Sequence, residues 1–233
     1  MTTGQIYPVV TNSQSETRKP AAPLGRRERK RNETVEKLLH AALDLFAKHG
    51  FANTPVEEIT ERADVSKGTF FNYFPSKEHI LMHLVGRQVG KVEACLEQAR
   101  AGNKSIESLL HSLAQELTAL PGRTPELARS VIASFLSNED VRQVMREQIA
   151  GRGRAVLAQI IAIGQERGEI RRDIPSTELA RAFQQSMFGA VLLWSLNPID
   201  SLSDTIERLV GILWTGMQAQ TNSSTISRKK VNK

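Results

Sequence analysis

A single cysteine, Cys95, stands in a chain of 233 residues. One thiol cannot close an intramolecular disulfide, and no Cys/His cluster has zinc-finger spacing, so neither a disulfide scaffold nor a structural zinc site is expected. A reducing compartment follows. Long apolar runs are missing as well: the longest, Met187 to Trp194, has eight residues, against about eighteen for a membrane span. The opening segment contains no apolar stretch of signal-peptide length, and the chain is expected to be soluble and cytoplasmic. No β-alternating run of any length appears. Catalytic patterns are also wanting. His40, His49 and His111 sit in no nucleophile–base pattern, no serine sits in a Gly-x-Ser-x-Gly elbow, and an enzyme reading has no support. His79 and His83 have the i, i+4 spacing of a helical metal pair but no acidic or cysteine partner in sequence. A partly exposed helix face explains them better, and no metal or cofactor is expected.

The formal charge is +6, and its distribution is uneven. Residues 1–31 carry seven basic and two acidic side chains, residues 228–233 carry four basic ones, and the remainder nets −3. Met1 to Gly25 and Thr221 to Lys233 are polar and aperiodic, too poor in apolar side chains to offset the entropy of ordering, and are read as disordered.

Between them the pattern is helical throughout, with about nine helices. Val35, Leu38, Leu39, Ala42, Leu45 and Phe46 share one face of a helix ending at Gly50. Thr54 reads as the N-cap of a second, with Pro55 at its first position, Glu57 completing a capping box, and Val56, Ile59 and Ala63 as its apolar face. Asp64 takes a turn and tolerates the left-handed conformation. Ser66 caps a short third helix, about Lys67 to Tyr73, which Pro75 ends. Ser76 caps a fourth. Further amphipathic stretches run Ser105 to Leu120, Pro125 to Leu136, Asp140 to about Arg167, Ser176 to Leu196 and Ser203 to Gln218; Gly151 and Gly153 are expected to divide or bend the long one.

Helix, tight turn and short second helix, over Thr54 to Lys77, is the helix-turn-helix plan that places the second helix in the DNA major groove. The chain has twelve aromatics, yet Phe70, Phe71, Tyr73 and Phe74 crowd into the third helix and its end. Phe70 and Phe74, at i and i+4, serve as core anchors. Lys67, Gly68, Phe71 and Asn72 then face outward, with Thr69 and Tyr73 on the flanks. Gly68 permits close backbone approach, Thr69 and Tyr73 can bond phosphates, Asn72 can read a base edge, and Phe71 can pack on a thymine methyl. Lys77, in the first turn of the next helix, is expected to meet a phosphate. Its removal should weaken all DNA sequences alike and flatten the salt dependence.

The run Val65-Ser66-Lys67-Gly68-Thr69-Phe70-Phe71-Asn72-Tyr73-Phe74-Pro75-Ser76-Lys77-Glu78 closely resembles the N-terminal domain of the TetR family of bacterial transcriptional regulators. Gly168 to Ala180, reading GEIRRDIPSTELA, resembles that family's connection into its penultimate helix. The resemblance implies an all-α homodimer in which helices 1 to 3 bind DNA, helices 4 to 7 enclose a small-molecule pocket, and helices 8 and 9 pair with the partner. It places DNA contacts on Thr54, Ser66, Lys67, Gly68, Thr69, Phe71, Asn72, Tyr73 and Lys77. Phe71 stands where the family usually has Tyr, Pro55 where it has Ser or Thr, and Asp64 where it has Gly, so similar docking with a different base preference is expected.

The expected organisation is a disordered basic arm (1–31), a helix-turn-helix DNA-binding domain (32–78), a ligand-binding and dimerisation domain (79–219) and a disordered basic tail (220–233). Candidate ligand-binding residues are Leu84, Gln88, Leu117, Phe135, Met145, Phe183 and Met187, mostly apolar, which points to a hydrophobic or amphipathic effector. Candidate dimer-interface residues are Phe183, Ser186, Ala190, Trp194, Leu209, Leu213, Trp214 and Met217. The function expected is a ligand-released repressor acting as a homodimer on a near-palindromic double-stranded operator. The alternative is an all-α small-molecule-binding or adaptor protein of the same fold that does not bind DNA specifically. Residues 32–90 carry six basic and eight acidic side chains, so long-range attraction to DNA must come largely from the basic arm.

Overall fold

The computed structural model describes residues 25–219. Over these the chain is all-α, relieved only by one isolated antiparallel bridge between Ile170 and Gln218. Three helices form the N-terminal unit: α1 (Arg26–His49), α2 (Val56–Arg62) and α3 (Lys67–Tyr73). After them come α4 (Glu78–Ala101), α5 (Ile106–Thr118), a short 3-10 turn (Pro121–Arg123) and α6 (Pro125–Ser137). α7 is composite: Glu139–Val144 runs through a π-helical stretch, Met145–Gly153, into Arg154–Glu166. Gly151 and Gly153 lie in that stretch, where i→i+5 bonding replaces the α pattern, so the long helix is rewound there and not divided. α8 (Ser176–Leu196) and α9 (Leu202–Met217) complete nine helices among the described residues.

The basic segment Arg26 to Arg31 is helical, which corrects the expectation of disorder up to residue 31. Its Arg, Lys and Glu side chains are good helix formers, Glu28 sits in the favourable first turn, and extending an already packed helix costs no new nucleus. The disorder expected of residues 1–24 and 220–233 lies outside the described residues.

Two capping expectations also change. α2 begins at Val56 with Pro55 as N-cap and no side-chain cap. Thr54 is fully buried, and its hydroxyl donates back to the Gly50 carbonyl at 2.7 Å. Ser76 does not cap α4; its hydroxyl donates to the Glu78 carboxylate at 2.5 Å. Ser66, by contrast, accepts from the Thr69 amide at 3.1 Å, and Asp64 holds φ at 54°, as the turn demands.

Two apolar cores result. One unites α1–α3 with the start of α4 and reaches Leu127 on α6 and Val141 on α7. The other fills the space among α4, α5, α7, α8 and α9. Cys95 is buried in the second, and burial pushes its thiol up to about 11, so it behaves as a small apolar side chain. No helix among the described residues is long and apolar enough to cross a membrane.

Gly164 on α7 is a close-packed point in this core. A Cβ there would lie 2.8 Å from Ile170 Cδ1 and 3.2 Å from Ile106 Cγ1, and both isoleucines are buried. Gly164→Ala is therefore expected to cost about 1–3 kcal/mol of stability, measurable by urea unfolding, despite the better helix propensity of Ala.

Candidate nucleic-acid interface and cavity

α3 presents a short surface. Phe70 and Phe74 are buried beneath it, Phe74 with its ring edge-on to His83. Ser66, Lys67, Gly68, Phe71 and Asn72 are exposed, and Thr69 and Tyr73 are half-buried on the flanks. Phe71 is 51% exposed. Leaving that much aromatic surface in water has no purpose in the fold itself. At Gly68 the nearest atom to an added Cβ is Ser66 Oγ, 3.7 Å away, so the chain's own packing does not require glycine there. The Lys67 ammonium is paired with Glu57, a contact that holds the Glu57 carboxyl below its ordinary value. Asn72 is expected to be a base reader: Asn72→Ala should lose about 1–3 kcal/mol of discrimination at one operator position, seen in competition among single-base variants.

Two expected contacts fall elsewhere. Thr54 is fully buried and cannot reach DNA through its side chain. Lys77 turns inward from the start of α4: its ammonium donates to the carbonyls of Phe51, Ala52 and Thr54 at 2.8, 3.0 and 3.1 Å. It also lies 4.8 Å from the centre of the Phe51 ring. An ammonium has three protons, and all three are used. Lys77 is thus the clamp of the loop between α1 and α2, a role set by carbonyls more than twenty residues away that no local motif records.

The same loop is tied to the rest of the molecule. The Phe51 amide donates to Ser130 Oγ on α6 at 2.8 Å, and Asp44 pairs with Arg62 on α2 and Arg123 before α6. Ser130 carries no sequence signal, being one polar residue on an otherwise amphipathic helix.

Beside α6 lies a partly open cavity of about 220 Å³. Its walls come from α4 to α8, and all seven candidate ligand-binding residues line it: Leu84, Gln88, Leu117, Phe135, Met145, Phe183 and Met187. No lining residue is charged. The only polar side chains are Gln88, Thr118 and Gln184.

The expected interface residues on α8 and α9 divide. Phe183, Trp194 and Met217 are buried within the chain and are not available to a partner. Phe183 lines the cavity, Trp194 donates its indole N–H to the Asp200 carbonyl at 2.8 Å, and Met217 packs in the second core. Both helices carry apolar residues on more than one face, so composition alone does not tell the inward stripe from the outward one. Ser186, Ala190, Leu209, Leu213 and Trp214 keep partial exposure. On α8, α9 and the turn between them the large apolar side chains left in water are Phe188, Leu193, Leu196, Ile199 and Ile212, and sequence reasoning passes over all of them.

Residues 38–84 match the model of bacterial regulatory proteins of the tetR family, and residues 103–212 match that of the tetracyclin repressor-like C-terminal domain. This chain belongs to the TetR family. TetR-family proteins are helix-turn-helix transcription regulators. Among relatives, the HTH-type transcriptional repressor KstR of Mycolicibacterium smegmatis is 29% identical over 104 residues, covering 45% of this chain and 51% of that protein. The match therefore spans about half the length of that relative. FadR of Bacillus subtilis, solved in complex with stearoyl-CoA, has the same TetR fold at a TM-score of 0.62 and 24% identity, over 78% of this chain and 98% of that one. FadR of Thermus thermophilus, a repressor solved with lauroyl-CoA, is 26% identical with a TM-score of 0.57, over 82% of this chain and 98% of that one.

Proposed function

We propose that this TetR-family chain is a cytoplasmic, homodimeric repressor that binds a near-palindromic operator and is released by an effector carrying a long acyl chain. One observation carries the reading: the DNA-binding unit and the cavity share walls. Leu81 on α4 and Leu127 on α6 belong both to the core beneath α3 and to the cavity lining. A ligand that displaces either side chain acts directly on the packing that orients α3, and close-packed cores answer such changes by shifting between discrete arrangements.

Two recognition helices must stand about 34 Å apart to meet successive major grooves. An effector that binds better to a conformation with another spacing lowers DNA affinity by its differential affinity for the two states. The apolar walls suit an alkyl chain, and the ligands of the two FadR structures supply the acyl class. Exposed Leu193 and Leu196 on α8 and Ile212 on α9 form the apolar surface suited to a second copy. Exposed Arg26 to Arg31, held on α1, add positive charge at a fixed place beside the DNA-binding unit.

The test is fluorescence anisotropy of an operator duplex selected from a random pool, titrated with the full chain and then with lauroyl-CoA or stearoyl-CoA. Tight, sequence-selective binding reversed by an acyl-CoA, with free coenzyme A inert, is expected. Selective binding that neither acyl-CoA disturbs would overturn the effector class, and absence of selective binding would overturn the repressor reading.

A further inference from the structure

A groove of about 160 Å³ runs between α1 and α4. Leu84, Gln88 and Leu120 line both this groove and the apolar cavity, so the two spaces adjoin across three side chains. Their chemistry differs. The cavity has no charged side chain, whereas the groove holds Glu36 and His40 on α1 and Arg87 and Lys91 on α4. Leu84, Arg87, Gln88 and Lys91 follow at i, i+3, i+4 and i+7, one stripe of α4 that runs from leucine to lysine. Arg87 donates to the Glu36 carboxylate at 2.7 Å, which matches its charge and ties α4 to the DNA-binding unit. Lys91 is half-buried; its ammonium donates to the Glu116 main-chain carbonyl at 2.6 Å and forms no ion pair among the described residues. Burial lowers its pKa from the ordinary value, with Glu116 opposing the shift and Arg87 adding to it. One carbonyl takes one of three ammonium protons, so Lys91 brings two further donors and a surplus positive charge to the groove.

We propose that the groove receives the anionic head, a carboxylate or a phosphate, of an effector whose apolar chain fills the cavity, and that Lys91 and Arg87 hold that head, Arg87 exchanging Glu36 for it. This rests on reading the cavity as the effector site and adds the charge of the ligand and the residues that read it. A charged head is expelled from the cavity, where no cation compensates its desolvation. The groove supplies the compensation: Lys91 offers a cation with donors to spare, and Arg87 a planar fork suited to two oxygens. A neutral head gains neither, so charge is the discriminating property. The exchange at Arg87 also connects the head to DNA binding. Glu36 belongs to α1 of the DNA-binding unit and Arg87 to α4, so an anion that bonds Arg87 releases a link between them. Such a ligand favours the state in which the pair is open, by its differential affinity for the two states.

The experiment is calorimetric titration of the full chain at neutral pH with decyl phosphate, decanoate, decanol and inorganic phosphate. Wild type is expected to bind decyl phosphate, decanoate or both about tenfold more tightly than decanol, and inorganic phosphate far more weakly than either. Preference for one charged head alone identifies that head. Lys91→Met is expected to remove the preference and leave decanol unchanged. Glu36→Gln, which frees Arg87 from its competitor, is expected to strengthen binding of the charged ligands about threefold and leave decanol unchanged. A general loss of packing would not move the two variants in opposite directions. Equal binding of all three decyl compounds by wild type, which needs no variant to fold, overturns the head site but leaves the cavity an effector site. A preference that survives Lys91→Met, or charged ligands weakened by Glu36→Gln, overturns it as well. Inorganic phosphate bound as tightly as decyl phosphate would make the groove a separate anion site and overturn its link to the cavity. Failure of every decyl compound to bind overturns both readings together.

Discussion

Lys77→Met is expected to lower the thermal midpoint by about 5–10 °C and to weaken binding to every DNA sequence alike, with the salt dependence unchanged. The substitution keeps the length of the side chain and removes the ammonium that the Phe51, Ala52 and Thr54 carbonyls share. Hydrogen bonds to charged groups contribute about 1.5–3 kcal/mol each where buried. Lys77 is only part-buried, so a total of about 2–3 kcal/mol is the reasonable expectation. If the same amount is lost from the docking geometry, affinity falls by about 30- to 150-fold. Arginine should not rescue, because a planar fork cannot replace three donors converging from one nitrogen. Differential scanning calorimetry reads the first quantity, and anisotropy at several salt concentrations reads the others. Unchanged stability with a flattened salt slope would return Lys77 to the DNA backbone.

Pairing Leu193→Glu with Ile212→Glu should yield a folded monomer that binds operator at least a hundredfold more weakly than wild type. Leu193 and Ile212 are 68% and 69% exposed, so charging them removes little from the fold of one chain. In a twofold interface each substitution appears twice, and burying four carboxylates against one another is prohibitive. The loss at DNA follows from effective concentration, since the second half-site is bound intramolecularly only while the two subunits are joined. Sedimentation velocity reports the assembly and circular dichroism the fold. A dimer that persists with full operator affinity would move the interface to another face.

Helix periodicity and turn chemistry make most of the architecture legible. Ser66 and Asp64 announce their roles locally, one through a side chain two atoms from the backbone it caps, the other through tolerance of a left-handed turn. Phe70 and Phe74 declare the inward face of α3 and so leave Phe71 and Asn72 outward. The cavity wall is readable because apolar residues on one helix face have to converge somewhere. The features that escape depend on distance along the chain. Thr54 looks like an N-cap until α1 is seen to end beside it, and Lys77 looks like a phosphate ligand until the carbonyls of the preceding loop surround its ammonium. Phe183, Trp194 and Met217 read as outward because an apolar helix can be buried by its own chain or by another, and sequence does not say which.

The π-helical stretch Met145–Gly153 bears on how such a protein diversifies. An i→i+5 segment accommodates a surplus residue within an otherwise continuous helix. Removing that residue would let the stretch rewind as α-helix, leaving the flanking parts of α7 in register while the side chains of the stretch itself change facing. Met145, Ile149 and Gly153 all lie on the cavity wall, so a one-residue deletion there would exchange which side chains line it without breaking the helix. Insertions and deletions confined to this stretch, and not only point substitutions, offer a route by which descendants of this chain could acquire new effectors while the surface of α3 stays the same.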